Sequence, residues 1–318
     1  MRPIGGELEA NNISDTVLFT DSGRSSLRLF IRSGHKDKKF LLPNYFCEVI
    51  EKVLIEENIT YEFYNIKNDL KIDTKSTVSK DYDVLYIINY FGMQQKLEDI
   101  NVKNKIIVED NVFFSNFYND NNYKLWYGFN SFRKVTNLSD GSMIKTNLEI
   151  DKSLILNQEA PFAKEKENAK VIKYEYIYNN KFDEQKYIGK LKEAESSINK
   201  QYKIYMMSNK SLYKLGYSNL FSNQSILKHR FNKLKVVFSR NSLELNIIEY
   251  SFFILKIKNR DLLKKELAQK DIYLPVHWPK SSQNNILYEE LISIPLFSNY
   301  TDDEFNYLIQ CVKELLDE

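Results

Sequence analysis

The sequence predicts an α/β protein: a mostly parallel central sheet flanked by helices, followed by a smaller α+β domain. Two observations carry this. In the first half, short apolar β-branched runs alternate with amphipathic stretches, as in strands buried on both faces and joined by helices. After "GSMIKTN" the chain turns Lys-, Glu- and Asn-rich with helical spacing, then closes with short strand-like runs and a capped helix. Its 318 residues suffice for two unequal units, a large one with its following helices over 1–205 and a small one over 206–318.

Each element has its own signal. "SSLRLFIR" sets Leu27, Phe30 and Ile31 on one helical face and arginines on another. "KFLLPNYF" reads as a strand entering a Pro-marked loop, "CEVIEKVLIEEN" as a helix, and "ITYEFYNI" as a strand. "DVLYIINYFG" and "KIIVEDN" are strands by their β-branched content, and "SDGSMI" is another after a polar loop carrying Lys134. Residues 152–235, including "KLKEAESSINKQYKIYMM", are expected to be long helices that cross the sheet or join subunits. Beyond residue 236, "VVFS", "SFFILKI" and "DIYLPVHWP" read as strands, with the helix "RDLLKKELAQ" between the last two. "TDDEFNYLIQCVKELL" opens on Thr301 with Glu304 three residues on, the pattern of a capping box.

Composition removes several functions. With 45 basic and 43 acidic residues, the net charge of +2 offers no basic stripe for nucleic acid or a membrane surface. Two cysteines and three histidines make no disulfide framework and leave few soft metal ligands. "MRPIGGELEANN" lacks the apolar core of a signal peptide, and "VLYIINYF" is too short to span a bilayer, so the expected location is the reduced cytoplasm. No phosphate-loop, dinucleotide or nucleophile-elbow motif occurs.

Three features could carry chemistry. In "TDSGRSSLRLF" a Ser-Gly step opens a helix, whose free amides and dipole suit a phosphate, with Ser25 and Ser26 as added donors. An ordinary capped helix start would read the same way. "KIIVEDN" delivers Glu109 and Asp110 at the carboxyl end of a strand, where α/β ligand crevices lie. A carboxylate there can hold a protonated ring nitrogen, or simply cap the next segment. Lys134, 24 residues after Asp110 and beside Arg133, is either a solvated cation or a desolvated amine able to attack a carbonyl.

The order of these features is more specific than any one of them. "IGGE", "SGRSSLRL", "LLPNYFC", "INYFG", "VEDN", "SFRK", "SDGSMI", "LPVHWP" and "SIPLFSNYTDDEFNYLI" run along nearly the whole chain. In that order they resemble the DegT/DnrJ/StrS family of pyridoxal-phosphate-dependent sugar aminotransferases of fold type I, in its short branch with Ser-x-Arg-Lys around the lysine. The resemblance implies that Lys134 binds pyridoxal 5'-phosphate covalently and then moves the proton, while Asp110 pairs with the ring nitrogen. It implies phosphate contacts from Gly23, Arg24, Ser25 and Ser131, with Tyr45 or Phe46 stacking on the ring. Asn232 matches an asparagine that reaches the phosphate of a second subunit, which implies a homodimer with shared sites. His277 and Trp278 would line the substrate entrance, unless they belong to a packed turn.

This chain departs from the family pattern at some positions. Phe113 stands where Gln or His usually faces the phenolic oxygen, moving that role to Asn89 or Asn111. Arg24 replaces a threonine, so it faces the cofactor phosphate or a substrate diphosphate. Little sequence precedes the phosphate turn. The implied reaction transfers an amine from glutamate to a keto group of a nucleotide-linked sugar, in cell-surface polysaccharide or related glycan biosynthesis. Pyridoxal chemistry on another amine, or a non-catalytic regulatory or scaffold role, are the alternatives.

Overall fold

In the computed structural model the described residues are 16–118, 123–217, 223–279, 283–297 and 299–317. The "IGGE" motif lies outside them. The elements of the first half are β1 (Thr16–Thr20), α1 (Gly23–Arg32), β2 (Phe40–Pro43), α2 (Glu48–Glu56), β3 (Tyr61–Tyr64), α3 (Lys75–Val78) and β4 (Val84–Ile88). Then come β5 (Ile106–Asn111), β6 (Trp126–Asn130), α4 (Phe132–Val135) and β7 (Ser142–Thr146). All seven strands form one sheet of order β1-β7-β6-β5-β4-β2-β3. The β3–β2–β4–β5–β6 pairings are parallel, and β7 runs antiparallel to both β6 and β1. The expected mostly parallel sheet is therefore present.

Strand composition explains the burial. β4, β5 and β6 are buried along their whole length, as both-face coverage requires of β-branched and aromatic strands. α1 covers the sheet with Leu27, Phe30 and Ile31, and Tyr127 of β6 donates a 2.6 Å bond to the Ser26 carbonyl. The arginines of α1 are not left in solvent as their pattern suggests. Arg28 and Arg32 reach α2 and its end, pairing with Glu56 and Glu57 at 2.5 Å each. After β4 a tight turn, Tyr90–Gly92, brings Gly92 to φ +88°, where an added Cβ would lie 1.8 Å from the Glu249 carbonyl oxygen. Only glycine fits that approach.

A second group of elements follows: β8 (Ile155–Glu159), α5 (Pro161–Asn179), α6 (Glu184–Asn199), β9 (Ile204–Met206), α7 (Asn209–Tyr217) and α8 (Gln224–Val237). β8 and β9 pair in parallel, and α5 packs along α6 as a hairpin. The long-helix reading of 152–235 is thus interrupted by two strands; the helix stops at Asn199, and Ile204–Met206 of "IYMM" form β9. The chain closes with β10 (Phe252–Lys256), α9 (Arg260–Ala268), α10 (Leu287–Glu290), β11 (Leu291–Pro295) and α11 (Asp302–Asp317). With α8 these build a second core, which includes Leu234, Leu255, Leu267, Ile292, Phe305 and Val312.

Two expected strands are absent here. Val236 and Val237 of "VVFS" finish α8 instead. "DIYLPVHWP" runs irregularly, since its two prolines remove ladder donors. At Thr301 the expected capping box forms: its amide donates to Glu304 Oε2 at 2.7 Å, and the Glu304 amide to Thr301 Oγ1 at 3.1 Å. Among the described residues no helix is long and apolar enough to cross a membrane.

Candidate active site

A cavity of about 310 Å³ opens where β5 and β6 end and α1 begins. Its walls are Ser22, Gly23 and Arg24 at α1; Cys47, Val49 and Ile50 at α2; Asp110 near the end of β5 and Val112 just beyond it; and Phe129 and Ser131 at β6. Arg133 and Lys134 of α4, Lys166 and Lys170 of α5, Glu195 of α6, and Trp278 complete it. Three predicted features, the Ser-Gly helix start, Asp110 and Lys134, therefore face one space.

Asp110 reaches the cavity because it is the penultimate residue of β5, in register with Ile88 of β4 and Phe129 of β6. Its Oδ2 accepts from the Tyr86 hydroxyl at 2.6 Å, and its Oδ1 from the Val112 amide at 3.1 Å. Burial pushes the carboxyl up to about 6, against the opposing pull of Tyr86, Val112 and Lys134. Behind it, Glu109 accepts from Trp126 Nε1 at 2.9 Å and from Asn89 at 3.1 Å. Asn89 also donates to Asn111 at 2.6 Å and accepts from the Gln95 amide at 2.8 Å. Those bonds turn Asn89 and Asn111 into a brace between strand ends, and neither lines the cavity.

Lys134 sits not in an open loop but in the short α4, whose Ser131 carbonyl accepts the Lys134 amide at 3.0 Å. Burial lowers the proton affinity of its side chain; Cys47 pushes it back up, and Arg133 lowers it again. The amine is thus eased toward its neutral, nucleophilic form.

At α1, Ser22 is the N-cap and accepts from the Ser25 amide at 3.3 Å. The Gly23 and Arg24 amides have no intrahelical acceptor. A Cβ on Gly23 would press within 3.3 Å of the Phe129 ring, so glycine preserves the approach. Arg24 lines the cavity while donating to Asn199 Oδ1 at 2.7 Å and the Ile198 carbonyl at 3.1 Å, at the end of α6. Ser25 lies beneath the cap, outside the wall, and Ser26 bonds to Thr20 and Ser142 at 2.8 Å each.

Several predicted positions lie elsewhere. Tyr45 and Phe46 do not face the cavity; Cys47 does. Tyr45 is drawn into an aromatic cluster with Trp278 at 4.8 Å and Tyr288 at 4.9 Å, and Phe46 stacks on Phe63 at 5.6 Å. Trp278 lines the wall, but His277 is boxed by Phe252 at 4.4 Å and Phe113 at 4.9 Å, its Nε2 buried without a partner among the described residues. Burial holds that imidazole neutral, well below its ordinary range, with Lys134 adding to the effect. Asn232 is exposed on α8, away from this chain's own cavity. Lys166, Lys170 and Glu195 are wall residues that the sequence did not single out, although 166 and 170 share one face of α5 at i, i+4 spacing.

This donor set fits a phosphate-bearing aromatic aldehyde such as pyridoxal phosphate. Free amides and cations suit the phosphate, the buried carboxylate a cationic ring nitrogen, and the amine an aldehyde. The volume is at the lower end for small-molecule sites, roughly 300–1,000 Å³.

No family model matches the sequence, and no curated protein sequence does. Solved structures do. Spr1654 of Streptococcus pneumoniae, described as a sugar aminotransferase in its PMP form, superposes with TM-score 0.61 at 16% identity, over 95% of this chain and 88% of that one. A DegT DnrJ EryC1 StrS aminotransferase from Brucella abortus gives 0.60 at 12% identity, over 95% and 86%. The histidinol-phosphate aminotransferase of Clostridium acetobutylicum gives 0.53 at 16% identity, over 96% and 84%.

Proposed function

We propose that this chain, which has the fold of the type I pyridoxal-phosphate transferases, is an aminotransferase moving an amino group from glutamate to a keto group of a nucleotide-linked sugar. The observation that carries this reading is the shared cavity: Lys134, Asp110 and the start of α1 bound one space. Pyridoxal phosphate bound there would supply a ring that withdraws electrons from a carbon losing a proton. Asp110, fixed by Tyr86 and Val112, would keep the ring nitrogen protonated. Lys134 would hold the cofactor and carry the proton between carbons, a role suited to its weakened proton affinity. Gly23, Arg24 and Ser131 would hold the phosphate, and Cys47 with Trp278 would bound the ring.

The sugar acceptor is supported by the likeness to Spr1654 and by the ordered motifs. A pathway of glycan assembly, the 1–205 and 206–318 division, a cytoplasmic location and a homodimer completed by Asn232 of a second copy belong to the same proposal. The same frame in histidinol-phosphate aminotransferase favours a second reading, in which the acceptor is another small carbonyl compound.

Purified protein given pyridoxal phosphate should turn yellow, and glutamate should bleach that absorbance. Keto-sugar nucleotides should then restore it, as should 2-oxoglutarate by reversal of the glutamate step, whereas other small keto acids should not. A protein that takes up no cofactor overturns the proposal, and restoration by a small phosphorylated ketone but not by keto-sugar nucleotides selects the second reading.

A further inference from the structure

We propose that the α5–α6 hairpin forms part of the anion site, with Glu195 as a resident counter-anion that a phosphate monoester must displace from Arg133 and Lys166. Among the described residues the cavity wall holds five basic side chains, Arg24, Arg133, Lys134, Lys166 and Lys170, against two carboxylates, Asp110 and Glu195. Asp110 is committed to Tyr86 and Val112. Among the described wall residues Glu195 is the carboxylate set among the cations of α4 and α5: its Oε1 lies 3.3 Å from Arg133 Nη1 and also accepts from Lys166 Nζ.

Exposure separates the partners. The Arg133 and Lys166 side chains are 15% and 14% exposed, whereas Glu195 is 44% exposed. The cations are therefore fixed in the wall, and the carboxylate has room to swing toward solvent. Arg133 Nε is buried with no hydrogen-bond partner among the described residues, a donor left over for a ligand. Arg133 is placed by Phe162 of α5, whose ring lies 5.7 Å from its guanidinium. Arg24, at the α1 amides, is anchored to the end of α6. The hairpin thus touches both the helix start and the lysine-bearing α4.

Glu195 is burdened by partial burial, but Arg133 and Lys166 outweigh that and hold its carboxyl at about 2, so it stays ionised at neutral pH. The occupied cations are thereby kept in place while the site is empty. A phosphate dianion brings more charge and three acceptor oxygens, enough to take over both donors.

The inference rests on the reading of a phosphate-bearing cofactor, but its test needs neither ring nor amine chemistry. Inorganic phosphate is titrated calorimetrically into cofactor-free protein at low ionic strength. Glu195→Gln should bind it about ten-fold more tightly and Lys166→Gln about ten-fold more weakly, both effects shrinking with salt. Unchanged or weaker binding by Glu195→Gln overturns the proposal, as does unchanged binding by Lys166→Gln. Should Lys166→Gln fail to fold, the Glu195→Gln titration decides alone. A protein that never turns yellow yet shows these shifts would uphold the anion site and refute the aminotransferase; a yellow protein without them does the reverse.

Discussion

Asp110 is held in position by Tyr86, a side chain that does not line the cavity, while burial sets its proton affinity. The tyrosine is fully buried, its own proton held well above the usual range by burial and by the neighbouring carboxylate, so it remains a donor. The folded protein nevertheless takes up a proton on Asp110 near pH 6, about two units above an unfolded aspartate. The ionised form is therefore the penalised one. Its cost is present above pH 6 and disappears as the pH falls toward about 4, where the unfolded chain is protonated too. Cofactor-free Asp110→Asn should exceed the wild type in stability at pH 7.5 by about 2–3 kcal/mol, and match it near pH 4. Urea unfolding at the two pH values measures this, and a difference independent of pH would contradict it. Asp110 and Lys134 were legible because each ends or follows a recognisable run in a fixed order. Glu195 was not: it meets Arg133 across 62 residues, and nothing local distinguishes it from other helix-face glutamates.

Elements with strong local signals appear where the pattern put them. "KIIVEDN" becomes β5, "RDLLKKELAQ" becomes α9, and the Thr301 cap closes by both of its bonds. Thr301→Ala should lower stability by about 1 kcal/mol, read as a fall in Tm, with cofactor binding unchanged. Elements decided by tertiary packing were harder to see. "IYMM" has helix-compatible residues, yet its first three form β9, which pairs with β8; the Asp21 amide donates to the Tyr205 carbonyl at 3.0 Å and Asp21 Oδ1 accepts from the Tyr205 amide at 3.0 Å. Gly92 gave no warning of its role: the approach of Glu249 comes from a distant segment. Gly92→Ala should cost about 3 kcal/mol or more through strain and displacement of that carbonyl, and thermal unfolding with a Tm equal to wild type would count against this geometry.

At the scale of the molecule, two cores are joined by side chains that cross between them; Phe252, Trp278 and Tyr288 of the second half pack into the first. That contact places Trp278 in the cavity wall. On the outside of α5, Val171, Tyr174 and Tyr178 form an exposed apolar stripe, on the helix that carries Lys166 and Lys170. The stripe supports the proposed homodimer. Light scattering should give twice the chain mass, and Tyr174→Glu should shift it toward monomer. Sequence reading reached the sheet and the order of the site motifs because these are periodic or contiguous. It did not reach which residue of the "PNYFC" loop lines the cavity, because one residue of backbone rotation decides between Phe46 and Cys47.

The central claim is most directly tested by loading the protein with pyridoxal phosphate, reducing it with borohydride and mapping the modified peptide by mass spectrometry. The account predicts one stoichiometric adduct on Lys134, absent from Lys134→Ala. A stoichiometric adduct on another lysine, or none at saturating cofactor, would contradict it.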